Sequence, residues 1–227
     1  MDAFSEIFAF LVGIPAAVAL VLTALTIFLT SDWRLSLTAL LVQYIFVGVA
    51  LTSSIQGEVA VVKILAGGMA VFILYLTARR VQEEREATPQ EMEQKRFLGL
   101  SLTWHAGPLG LPLRLLAVIL LVLALVRLFG AYQFPLVSAS TAFVAVWMGA
   151  LGMLGLVVSA EPLRVAPAIL TILAGFDLVY GGLQQSLTVV GFWSALTILA
   201  ALALSYLALV QGLTKEQSQQ DDGGLGL

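Results

Sequence analysis

Apolar residues run through this chain in long blocks. The blocks, not any alternation of polar and apolar positions, carry the structural signal. A helix that crosses a bilayer needs about 20 mostly apolar residues, and seven stretches meet that length, at about 7–29, 34–52, 59–77, 113–130, 134–158, 164–182 and 188–211. Most of the polar breaks between them are short and rich in turn formers: Ser31-Asp32, Ser53-Ser54 with Gly57, and Gly181-Gly182. Pro135 and Pro162 fall near helix starts, where proline is tolerated, and Pro167 falls in about the first turn of the sixth span.

One interruption is long, about 78–112. Within it Thr88-Pro89-Gln90-Glu91 reads as a capping box with proline at the first helical position, which predicts a short surface helix to about Arg96. Leu98 to Leu111, with Trp104, is apolar but punctuated by Gly and Pro. It is expected to lie along the membrane interface or against a partner. His105 sits there and reads as an interfacial histidine without a role. The tail from Lys215, closing on Gln219-Gln220-Asp221-Asp222-Gly223-Gly224, is polar and reads as disordered.

The pattern therefore predicts an all-α polytopic membrane helix bundle of about seven transmembrane helices. Its parts are an N-terminal three-helix unit (1–78), a loop with a surface helix (79–112), a connector span (113–133), a C-terminal three-helix unit (134–212) and the tail (213–227).

Composition agrees. The chain is 60% hydrophobic and 11% charged, with mean hydropathy +1.00. A soluble domain is about a quarter charged, and 227 residues could not bury this much apolar surface in water. The chain has no cysteine, which excludes disulfides, thiolate catalysis and Cys-held metals, and its single histidine excludes a His-based metal site. No phosphate loop, nucleophile elbow or nucleotide fingerprint is present, so no cofactor and no nucleic-acid partner are expected. The first apolar run is too long for a cleavable signal and lacks a basic leader.

Orientation follows from the cations. Threading the spans puts Arg34, Arg79, Arg80, Arg85, Lys95, Arg96, Arg114, Arg164 and Lys215 on the side of the C-terminus and only Arg127 on the other. The positive-inside rule then places the N-terminus outside and the C-terminus in the cytoplasm.

A shift of 130 residues lays spans one to three on spans five to seven without a gap, with Arg34 on Arg164 and Phe46 on Phe176. Identities are few, but the boundaries coincide. This suggests a parallel duplication of a three-helix unit.

The candidate chemistry lies in two charges within the apolar blocks, Lys63 in the third span and Asp177 in the sixth. A charge in hydrocarbon costs at least ~2.5–3.5 kcal/mol, so it faces protein and has a partner or a task. At 1.5 Å of rise per residue, Lys63 lies roughly 6 Å and Asp177 about 8 Å below the same outer boundary, and the two can meet as an ion pair. Arg127, near the outer end of span four, Glu58, at the mouth of span three, and Tyr180, one turn from Asp177, fall near the same layer. A buried carboxylate beside a lysine can serve as a proton relay. The alternatives are a static salt bridge or a snorkelling lysine. Gln43, Tyr44, Ser194, Thr197 and Ser205 read as interhelical hydrogen-bonding groups. Gly149, Gly152 and Gly155, with Gly67, Gly68 and Gly175, read as sites of close helix packing.

The stretch from Glu161-Pro162-Leu163-Arg164 through Ala174-Gly175-Phe176-Asp177-Leu178, followed by span seven, resembles the small three-helix K subunit of respiratory complex I. It is also similar to the E component of group 4 membrane hydrogenases and the C subunit of multisubunit cation/proton antiporters. In that family a glycine, an apolar residue and an acid stand in the middle helix, as Gly175-Phe176-Asp177 do here, with aspartate for the usual glutamate. The resemblance covers roughly residues 134–211. It implies a non-catalytic subunit of a proton- or sodium-translocating complex in a bacterial-type inner membrane, packed beside antiporter-like subunits. Two departures stand out. Span seven offers Trp193, Ser194 and Thr197 where the family carries a second glutamate, and Val47 is the residue that the 130-residue shift lays on Asp177. A stand-alone secondary transporter and a structural or assembly membrane protein remain the alternative classes.

Overall fold

Long apolar segments cannot leave backbone N–H and C=O groups open to hydrocarbon, so each closes its hydrogen bonds within itself as a helix. The structure, a computed structural model, describes the backbone of residues 13–52, 57–87, 110–132, 138–159, 161–183 and 187–224. Side chains at 57–59, 84–87, 182–183, 187 and 212–224 lie outside the description. The described elements are α1 (Ile14–Leu29), α2 (Trp33–Leu51), α3 (Gly57–Ala87), α4 (Leu111–Ala131), α5 (Ala139–Val158), α6 (Pro162–Leu183) and α7 (Leu187–Gly224). Six are long and apolar enough to span a membrane, and α1, with 16 described residues, is a shorter apolar helix. The chain is a multi-pass membrane protein, and the lipid bilayer is its surrounding.

Local chemistry explains the helix starts. The Asp32 carboxylate accepts from the Arg34 N–H at 3.0 Å and caps α2. Ser138 Oγ accepts from the Thr141 N–H at 3.3 Å and caps α5. Pro15 and Pro112 stand in the first turns of α1 and α4, where the missing N–H costs nothing.

Two ends differ from the sequence reading. The loop expected from 79 is helical to Ala87, because α3 continues through Arg79, Gln82 and Glu83. Arg79 Nε donates to Glu83 Oε1 at 2.8 Å, an i,i+4 pair that supports the helix after it leaves the apolar block. The tail expected to be disordered from 213 is helical to Gly224. Lys, Glu and Gln are good helix formers and carry the helix past the apolar block. The capping box at Thr88, the 98–109 part of the interfacial segment and His105 lie outside the described residues.

The helices form two triplets, α1–α3 and α5–α7. Within each, consecutive helices pack on one another. Between them each helix packs on its counterpart: α1 on α5, α2 on α6, α3 on α7. α3 and α7 begin 130 residues apart, the same shift that aligns the sequences. Leu20, Leu40, Tyr44, Val47, Met148, Leu151 and Leu170 fill the seam between the triplets. Small residues set its closeness. Gly152 lies against α6, where an added Cβ would come within 2.8 Å of the Ala168 carbonyl oxygen, and Gly67 of α3 lies against the Tyr44 ring. A Cβ added at Gly68 or Gly149 would meet open space, although the backbone of Gly149 lies against Gly175 of α6. α4 stands apart, touching α5 and α1, with only Arg114 and Leu125 buried.

Candidate functional site: a buried ion pair and a polar column

Lys63 lies in the second turn of α3, and Asp177 lies near the end of α6 that approaches it. The antiparallel course of the two helices brings the residues to one level, as their depths predict. Lys63 Nζ donates to Asp177 Oδ1 at 2.7 Å, and both side chains are at most 5% exposed. That length is typical of a charge-assisted bond. Asp177 Oδ2 is buried and has no partner among the described residues. Beside the pair lies a cavity of about 10 Å³, the room one water needs, lined by Leu51, Lys63, Asp177, Tyr180, Val190 and Trp193. Tyr180 is thus brought to the site. Its ring stacks on Phe176 at 5.6 Å and lies 5.9 Å from that of Trp193.

Arg127 is not brought to it. It is exposed on α4, which packs on α1 and α5 rather than on α3 or α6. Height along a helix does not determine which face of the bundle a residue occupies. Glu58 falls in the first turn of α3, one turn before Lys63, and its side chain lies outside the described residues.

Comparison with known protein families, curated proteins and solved structures finds none that matches this chain.

A column of buried polar groups continues from the pair toward the opposite, arginine-bearing end. Tyr44 of α2 lies buried in the seam with α6, the helix that carries Asp177. The Tyr44 hydroxyl donates to the Leu170 carbonyl at 3.2 Å. One residue on, Thr171 Oγ1 donates to Gln43 Oε1 at 3.4 Å, and Gln43 Nε2 has no partner among the described residues. Thr171 in turn lines a second cavity, of about 30 Å³, at the arginine-bearing end. Tyr44, Gln43, Thr171 and Thr197 are all buried. Hydrogen bonding between helices was expected of Gln43 and Tyr44. Their alignment between two cavities was not, because it depends on the packing of α2 against α6. No hydrogen bond among the described residues joins Tyr44 to Asp177, so proton passage between them requires a water.

Arg114 stands at the arginine-bearing end with Arg164, as the threading of the spans has it, but it is buried there, only 6% exposed, which its place in the sequence does not specify. Its position, after Pro112 and inside the fourth apolar block, was the one available hint of it.

Proposed function

We propose that this chain is a non-catalytic membrane subunit of an ion-translocating assembly, of the kind that its resemblance to the complex I K subunit implies. In this reading the Lys63/Asp177 layer belongs to a charge relay. The carrying observation is the pair itself: a 2.7 Å ion pair with an unsatisfied carboxylate oxygen beside a water-sized cavity. A static bridge gains most when every lone pair is satisfied. An open oxygen next to room for water suits a group that exchanges a proton or a cation.

Two further features support the reading. The polar column gives the pair a partial connection to the other side of the bilayer. The outward face of α4, with Ile119, Leu120, Leu123 and Val126 exposed, is an apolar wall that can lie against lipid or a larger subunit. The cation bias supports an orientation with the arginine-bearing end in the cytoplasm and the pair toward the outer surface.

The test is purification of the tagged chain from its native membrane in a mild detergent, with measurement of native mass and identification of co-purifying chains. A large complex containing antiporter-like subunits is the expected result. The 24.2 kDa chain alone or as a homodimer, under conditions that hold other complexes together, would replace this reading with a transporter or a structural protein. Within an intact complex, Asp177→Asn keeps an oxygen to accept from Lys63 but cannot exchange a proton. Ion-coupled activity should fall at least about tenfold while assembly persists. Full activity in that variant would remove the relay.

A further inference from the structure

The cavity at the arginine-bearing end lies where α1 and α5 end and α2, α4 and α6 begin. Arg114 of α4 and Arg164 of α6 line it, with Thr30, Ser31, Ser36 and Ser159. Among the described residues the only carboxylate in the lining is Asp32, which already accepts from the Arg34 N–H as the α2 cap.

Arg114 is under-compensated. Its Nη1 donates to the Phe28 and Leu29 carbonyls at 3.4 Å each, long for bonds from a guanidinium, which are usually about 2.7–2.9 Å when made to an anion. Its Nε has no partner among the described residues. No carboxylate among those residues lies within salt-bridge distance of it. Among the described residues Arg164 makes only a long ion-pair contact, 3.5 Å, with Glu161, and its side chain remains 27% exposed. A buried guanidinium with a free N–H beside a second arginine calls for an anion.

We propose that this cavity binds the phosphate of an anionic phospholipid headgroup, with Arg114 as the buried donor and Arg164 as the donor at the rim. At about 30 Å³ it has room for about two to three waters, which a phosphate group displaces. It opens at Ser31 and Asp32, which are exposed. It lies at the level of the headgroups, on the end where the cations gather, and basic pockets between membrane helices suit such groups. From Arg114 the outward face of α4 continues as Leu113, Leu116 and Leu120, an apolar strip for the acyl chain. This site is separate from the ion pair, and its occupancy does not depend on the relay reading.

The experiment compares thermal unfolding of the full chain in a neutral detergent with dioctanoyl-phosphatidylglycerol, with dioctanoyl-phosphatidylcholine and with sodium phosphate. The expected result is a rise in Tm of about 5 °C with phosphatidylglycerol alone. Arg164→Gln, at the partly exposed rim, should fold and lose most of that rise. Arg34→Gln removes a cation from the same end but outside the cavity and should keep it. Equal protection by the two lipids, or equal loss in both variants, overturns the proposal. Protection by sodium phosphate as strong as by phosphatidylglycerol assigns the cavity to a soluble anion and overturns the lipid source.

Discussion

At the scale of single residues, Lys63 and Asp177 were legible because charge is costly in hydrocarbon and helix rise converts position into depth. Their partnership tests simply. Asp177→Leu strands a buried ammonium and should lower stability by about 3–5 kcal/mol, whereas Lys63→Met with Asp177→Leu, an apolar pair of similar volume, should recover most of it. Denaturation in mixed micelles measures both, and failure of the double variant to recover would mean that the charges do more than neutralise each other. Tyr44→Phe removes the hydroxyl that donates to Leu170 and should cost only about 0.5–1.5 kcal/mol. If the column conducts, the same substitution should reduce ion-coupled activity well beyond what that small loss explains. Neither the burial of Arg114 nor the distance of Arg127 from the ion pair was legible, for one reason. Sequence gives a cation's height on a helix but not its azimuth, and azimuth decides that Arg114 turns inward while Arg127 faces out.

At the scale of elements, the apolar blocks located all seven helices but misjudged the ends of two. Hydropathy marks where a helix leaves hydrocarbon, not where its hydrogen bonding stops. In α3 the backbone ladder runs past Arg79 to Ala87, and in α7 past Lys215 to Gly224. At 1.5 Å per residue the 31 and 38 residues span about 46 and 57 Å, well beyond the ~30 Å hydrocarbon core. The contact between α5 and α6 depends on Gly152. Gly152→Val would press on the Ala168 carbonyl, a backbone atom that cannot swing away, and should destabilise the protein by about 1–3 kcal/mol. Gly149→Val, which meets open space, should be close to neutral in the same unfolding assay.

For the whole molecule, the 130-residue shift was legible only as coincident boundaries. The structure adds that counterpart helices pack on one another, α1 on α5, α2 on α6 and α3 on α7. The charged pair breaks that equivalence, since Val47 and Trp193 occupy the positions corresponding to Asp177 and Lys63. The orientation can be read directly, because the chain has no cysteine to interfere. Tyr132→Cys, just past α4, should react with an impermeant maleimide in intact cells, and Ser31→Cys, between α1 and α2, only after lysis. The reverse pattern would invert the bundle.

The 114 residues between Lys63 and Asp177 also impose an order in time. During synthesis at about 5–20 residues per second, α3 is made roughly 6–23 s before its counter-charge leaves the ribosome. For that interval the first triplet carries an uncompensated ammonium near the bilayer surface, where a lysine can still reach headgroup water. The shallow placement of the pair thus allows an early intermediate to wait for its later half. A pair at the midplane would have left the nascent lysine stranded in lipid.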